Sequence, residues 1–130
     1  MRVVLDCNVL VSAARVDGTC REVINRVVRG HDIVLSRPIL SEYKAVAERR
    51  SQRPYREVLT FVINEIERLA VVVEPANVVF GIRDPDDEIY LATAEAGGAT
   101  LISGNTRDFT ERQYGSVEVW LPRTFLDRAS

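Results

Sequence analysis

The chain of 130 residues is poor in the side chains that staple a small fold. It carries two cysteines, Cys7 and Cys20, which form no C-x-x-C pair, and one histidine, His31. A disulfide scaffold and a Cys/His zinc set are therefore excluded. Apolar runs are short, and none approaches the ~18 residues that a membrane span requires. The opening MRVVLDCNVL meets a carboxylate at Asp6, so neither a signal peptide nor an anchor is expected, and the expected location is cytoplasmic. Lysine is almost missing: Lys44 stands alone among 17 basic residues. The arginines that replace it have a planar fork of donors suited to phosphate, although the codon bias of a GC-rich genome produces the same excess. A formal net charge of -2 supplies no global attraction to nucleic acid.

Several catalytic signatures are also missing. There is no GxGxxG after the first apolar run, no GxxxxGK[ST] and no GxSxG, so dinucleotide, P-loop and serine-hydrolase chemistry lack their parts. A phosphoacceptor receiver domain would need a lysine near its last strand, where Lys44 does not lie. A haloacid-dehalogenase-like phosphatase would need an acid where Asn8 stands.

What is present is an ordinary globular composition, 46% hydrophobic and 28% charged, at a length expected to form one domain over 1–130. Five β-branched runs, Arg2–Asp6, Asp32–Ser36, Ala70–Glu74, Thr100–Gly104 and Val117–Trp120, are apolar on successive residues, the pattern of strands buried on both faces. Between them, helical spacing marks Thr19–Arg29, Pro38–Arg50, Tyr55–Leu69 and Asp86–Ala96. The alternation predicts a three-layer α/β/α fold around a parallel sheet of about five strands. In such sheets the site lies beyond the carboxyl ends of the strands, and the residues found there are mostly acids.

Asp6 ends the first run, placed equally well as a helix cap or a functional acid. Glu42 lies beside the stripe of Ile39, Tyr43 and Val46, and its i±3 and i±4 neighbours include no cation, so it calls for a distant partner or a metal. In Arg83-Asp84-Pro85-Asp86-Asp87-Glu88, Asp84 reads as a cap and Asp86 as a first-turn acid, whereas Asp87 shares a face with Tyr90, Leu91 and Ala94. Asp108 closes the polar string after the fourth run. Converging acids repel unless a cation holds them, and oxygen donors alone select Mg²⁺, with Mn²⁺ as a substitute. Such a site suits hydrolysis of a phosphodiester.

Taken in order, VVLDCNVLVSA, SRPILSEYKAV, DPDDEIYLATAEAGGATLISGNTRDF and VEVWLPRTFL resemble a PIN domain, in particular the VapC-type toxin ribonucleases, over nearly the whole chain. The resemblance implies a magnesium-dependent endoribonuclease acting on RNA, commonly a homodimer and often blocked by a small antitoxin. It implies Asp6, Glu42 and Asp87 as the catalytic acids, with Asn8 and Ser103 supporting them. Relatives place the fourth acid either at Asn105 or at Asp108; here Asp108 has the charge and Asn105 supports it. The metal set is then Asp6, Asp87 and Asp108. Arg49, Arg50, Arg53 and Arg56 form a basic stretch that either grips RNA phosphates or is a solvated corner. A catalytically silent PIN-fold module that binds protein or RNA is the alternative.

Overall fold

In the computed structural model, residues 1–129 are described. Strands and helices follow in the order β1 (Arg2–Leu5), α1 (Cys7–Arg15), α2 (Thr19–Gly30), β2 (Asp32–Leu35), α3 (Arg37–Ala47), α4 (Arg56–Leu69), β3 (Val71–Val72), α5 (Glu88–Gly97), β4 (Thr100–Ile102), β5 (Gln113–Tyr114), β6 (Val117–Trp120) and α6 (Pro122–Arg128). Short 3₁₀ turns at Arg50–Tyr55 and Pro85–Asp87 lead into α4 and α5. No described helix is long and apolar enough to cross a membrane.

The strands lie in the order β3-β2-β1-β4-β6-β5. Pairing is parallel throughout, with Val3 opposite Ile33 and Leu5 opposite Ile102, except that β5 runs antiparallel to β6. Gly115, with φ 59°, occupies the two-residue turn between β5 and β6, a position that a β-carbon disfavours. From β1 the chain first builds leftward to β2 and β3, then crosses to build β4 and β6 on the other side. The crevice beyond the carboxyl ends of β1 and β4 is therefore the topological switch point.

After their first residues Arg2, Asp32 and Thr100, the central strands β1, β2 and β4 are apolar on successive positions because helices cover both faces. Val3, Val4, Leu5, Ile33, Val34, Leu35, Leu101 and Ile102 are all buried. Against them pack Val23 and Val27 of α2, Ile39 and Tyr43 of α3, Leu59, Ile63 and Ile66 of α4, and Leu91 and Ala94 of α5. The alanine-rich α5 crosses β1, β2 and β4 at close range, and a buried Ser36–Thr93 hydroxyl pair at 2.8 Å fixes it to the end of β2.

Three features differ from the sequence-based expectation. The sheet has six strands, because β5 is too short to show any pattern. β3 is an edge strand with Val71 and Val72 about half exposed, so its apolar run does not reflect burial on both faces. Helices α1 and α6, of nine and seven residues, are too brief to betray a 3.6-residue period.

The closeness of α5 to β2 is directly testable. A β-carbon at Gly97 would lie 2.5 Å from Val34 Cγ1, whereas one at Gly30 would meet nothing within 4 Å. Gly97→Ala should destabilise the fold by ~1–3 kcal/mol through overpacking. Gly30→Ala, at the end of α2, should be neutral or stabilise by up to ~1 kcal/mol. Thermal melts of the two variants check this, and equal melting temperatures would contradict the packing.

Candidate metal centre

Asp6 follows β1 and occupies the cap position of α1, yet its side chain makes no capping bond. Its backbone N–H instead prolongs the ladder to the carbonyl of Ile102 at 3.0 Å, and Ser103 N–H donates to the carbonyl of Trp120 at 3.0 Å. These two bonds set Asp6 and Ser103 side by side at the switch point. The Ser103 hydroxyl donates to Asp6 Oδ2 at 2.6 Å, and Asn8 Nδ2 donates to the same oxygen at 3.1 Å. Asn8 Oδ1 in turn accepts from Gly104 N–H at 3.3 Å, tying α1 to the loop after β4. Asp6 is 4% exposed. That burial holds its carboxyl above the usual carboxylate range, with the charge of Asp108 adding to the effect and the Ser103 hydroxyl opposing it.

Next to this pair, Asp84, Asp87 and Asp108 bring one carboxylate oxygen each to within 4.8 Å of one another. Asp84 and Asp87 flank the Pro85–Asp87 turn, three residues apart and so on one face. Asp84 does cap that turn, with Oδ1 accepting from Asp86 N–H at 3.0 Å, and its second oxygen remains for other work. Asp108 reaches the group because the loop after β4 makes one helical turn, closed by Phe109 N–H to the carbonyl of Asn105 at 3.1 Å and anchored by the buried Phe109 ring. Asn105 then lies under both acids: its Nδ2 donates to Asp108 at 2.9 Å and stands 3.4 Å from Asp87, while its Oδ1 accepts from Asp108 N–H at 3.2 Å.

This crowding sets the proton affinities. The Asp87 carboxyl is pushed up to about 7, first by burial and then by the negative charges of Asp6, Asp84 and Asp108 around it. Asp108 moves the other way, held below its ordinary value chiefly by the Asn105 amide. Three carboxylates with hard oxygen donors, crowded together with no cation among them, fit Mg²⁺ or Mn²⁺ and fit no soft metal.

Glu42 stays outside this trio. It projects from α3 within electrostatic reach of Cys7, whose thiol is pushed up to about 12 by burial and by the charges of Asp6 and Glu42. The cation that neighbouring positions lack is supplied from seven residues on, by Arg49 at 3.9 Å. Arg56 is structural. Its guanidinium caps the C-terminal end of α3 by donating to the carbonyls of Ala47, Glu48 and Arg49 at 2.7, 3.1 and 3.3 Å. Arg50 and Arg53 are exposed. Glu88, the last acid of the segment, holds the preceding loop by accepting from the N–H groups of Phe80, Gly81 and Ile82.

Two residues at this end of the sheet escape sequence reasoning. For Asp84 a capping role is sufficient explanation, although its i, i+3 relation to Asp87 is a signal that could have found it. Tyr90 has the spacing of a core residue; it is 2% exposed, but its hydroxyl has no partner in the structure and lies within electrostatic reach of Asp6, Tyr43, Cys7 and Glu42.

The PIN domain family model matches residues 2–107, and the chain belongs to that family. Among curated proteins, none matches the sequence significantly. Its fold is shared with solved VapBC structures. DNA-bound VapBC from Salmonella typhimurium gives a TM-score of 0.68 at 16% identity, covering 94% of this chain and 98% of that one. VapBC2 from Rickettsia felis, bound to a DNA fragment from its promoter, gives 0.64 at 15% identity, covering 93% and 98%. VapBC-1 from nontypeable Haemophilus influenzae gives 0.64 at 16% identity, covering 95% and 99%.

The raised Asp87 carboxyl has a measurable consequence. Its pKa is near 3.8 unfolded and about 7 folded, so between these values the folded chain binds the extra proton. Stability contributed by this group is therefore full below pH ~4 and is lost as the pH rises to ~7. With chelator present, Asp87→Asn should flatten that slope and melt no lower than wild type at pH 7.5, while gaining less from Mn²⁺. A variant that melts well below wild type without metal would assign Asp87 a purely structural role. In parallel, Asp108→Asn should weaken Mn²⁺ binding more than Asn105→Ala, because the amide carries no charge.

Proposed function

We propose that this chain is a divalent-metal-dependent endoribonuclease that hydrolyses RNA phosphodiester bonds, the toxin component of a toxin–antitoxin pair. The observation that carries the reading is the convergence of Asp84, Asp87 and Asp108 beside Asp6 at the switch point of the sheet. Membership of the PIN family and the shared fold with VapBC complexes support it.

Asp87 and Asp108 would hold the cation together with Asp6, and the geometry adds Asp84 to that set. When bound, the cation supplies Lewis acidity and a water acidic enough to attack phosphorus. The rest is done by the chain. Asp87 gives up its proton as positive charge arrives. Ser103 and Asn8 fix the orientation of Asp6, and Asn105 fixes the spacing of Asp87 and Asp108. Glu42 completes the acid set from the α3 side, where Arg49 keeps it near the surface, and Arg50 and Arg53 extend the basic stretch towards RNA.

Partners belong to the same reading. Between α2 and α4 lies a recess of about 400 Å³ lined by Ile24, Val28, Val58 and Phe61, the last 66% exposed. An apolar surface of this kind supports a small protein partner such as an antitoxin. A homodimer is in keeping with the exposed valines of β3 and of the loop that follows it.

Purified protein should cleave single-stranded RNA with Mg²⁺ or Mn²⁺, and chelator should abolish the activity. Asp6→Asn should fold normally and lose at least ~100-fold in rate, since it removes charge from the centre of electrostatic stabilisation. Wild-type protein that binds Mn²⁺ but cleaves nothing would favour the silent binding module. Undiminished cleavage by Asp6→Asn would place the chemistry elsewhere.

A further inference from the structure

Half of the sixteen arginines have an ion-pair, carbonyl or ring partner, Arg49 on Glu42 among them. Arg26, Arg68 and Arg123 pair with acids one helical turn away, Arg21 and Arg56 cap helix carbonyls, and Arg15 and Arg128 lie over the rings of Tyr55 and Trp120. Among the other eight, Arg83 and Arg107 stand apart by their position. Each is exposed, and each stands next to an acid of the candidate centre, Arg83 before Asp84 and Arg107 before Asp108. Among the described residues neither has a carboxylate within 4.0 Å.

Arg83, Asp84, Pro85, Arg107 and Asp108 line one recess of about 380 Å³. The two guanidiniums come from separate segments, one entering α5 and one leaving β4. If they served only to neutralise the acids, they would sit on them as ion pairs, as Arg26 sits on Glu22 at 2.9 Å. Instead the recess carries carboxylates and unpaired guanidiniums on the same lining. A divalent cation satisfies the first set. The second set then needs an anion beside that cation, with oxygens that a planar fork can grasp.

We propose that Arg83 and Arg107 form a phosphate subsite that holds the RNA backbone at the nucleotide next to the cleaved bond. This rests on the nuclease reading and assigns its substrate grip to residues outside the Arg49–Arg56 stretch. The contact is to backbone, so it carries no base preference. Each neutralised phosphate on a single strand contributes about -0.7 to the slope of log K against log salt. One phosphate held between the pair therefore accounts for about -0.7 of that slope.

The test compares wild type, the Arg83→Gln/Arg107→Gln double variant and Arg29→Gln, a control at the end of α2 where the parallel strands begin. Mn²⁺ affinity and melting temperature are measured first: the control should match wild type in both, and the double variant should melt alike and bind Mn²⁺ no more weakly. In cleavage of single-stranded RNA, the double variant should raise KM about tenfold at low salt with kcat nearly unchanged. Binding is followed separately by fluorescence anisotropy with labelled 12-nucleotide oligouridylate and oligoadenylate in Mn²⁺, with every protein in the Asp6→Asn background. Both oligomers should lose affinity equally, and the salt slope should fall by about 0.7.

An unchanged KM, affinity and salt slope would overturn the proposal. So would a loss confined to one oligomer, which would make these residues base readers, or a loss of Mn²⁺ affinity, which would make them part of the metal centre. If wild type cleaves no RNA but the anisotropy result holds, the nuclease reading fails and the phosphate subsite stands.

Discussion

The repulsion among carboxylates gathered at one edge of the sheet is the constraint around which this structure is organised. Asp6, Asp84, Asp87 and Asp108 come from three separate segments, and each is brought there by backbone features with independent causes. β1 and β4 pair one residue beyond their ends, the Asp84-Pro85 step starts a tight turn, and the segment after Asn105 makes a single helical turn locked by Phe109. None of these local choices relieves the repulsion. Without a cation, relief comes from a proton on Asp87 and from the donors of Ser103, Asn8 and Asn105. The fold thereby maintains a region of excess negative charge that it does not neutralise internally, and a divalent cation is the species that does so best.

Polar residues around the acids have a division of labour that follows from hydrogen-bond inventory. The Ser103 hydroxyl accepts from Asn105 N–H at 3.0 Å and donates to Asp6, so one side chain joins the loop to the buried acid. Asn105, with both donor and acceptor atoms, spans Asp108 and Asp87 in a way a carboxylate could not, since an acid there would only add repulsion. This accounts for an amide and an acid standing three residues apart in the same loop.

The layered fold is legible in the sequence because its central strands are apolar on successive residues and its longer helices keep a clear stripe, as Val23, Ile24 and Val27 show. β5, α1 and α6 are not, since elements of two to nine residues carry too little pattern. For the site, the position of Asp6 after Val3, Val4 and Leu5, and the spacing of Asp87 ahead of Tyr90, Leu91 and Ala94, direct attention to the end of the sheet where these acids lie. Asp84 is hidden because a capping role explains it fully, while the fold also brings that carboxylate within 4.8 Å of Asp87 and Asp108. Glu42 lacks a cation at helical spacing, and local spacing cannot see Arg49, which returns past the end of α3. The free state of Arg83 and Arg107 is likewise out of reach, because it depends on which acids the loops place within 4 Å.

The central claim is that the acids await a cation and that Asp87 carries a proton until one arrives. Calorimetric titration of Mn²⁺ at pH 6.5, in two buffers of different ionisation enthalpy, counts the protons exchanged on binding. The account predicts tight binding with release of most of one proton in wild type and almost none in Asp87→Asn. Mn²⁺ binding without proton release in wild type, or no binding at all, would contradict it.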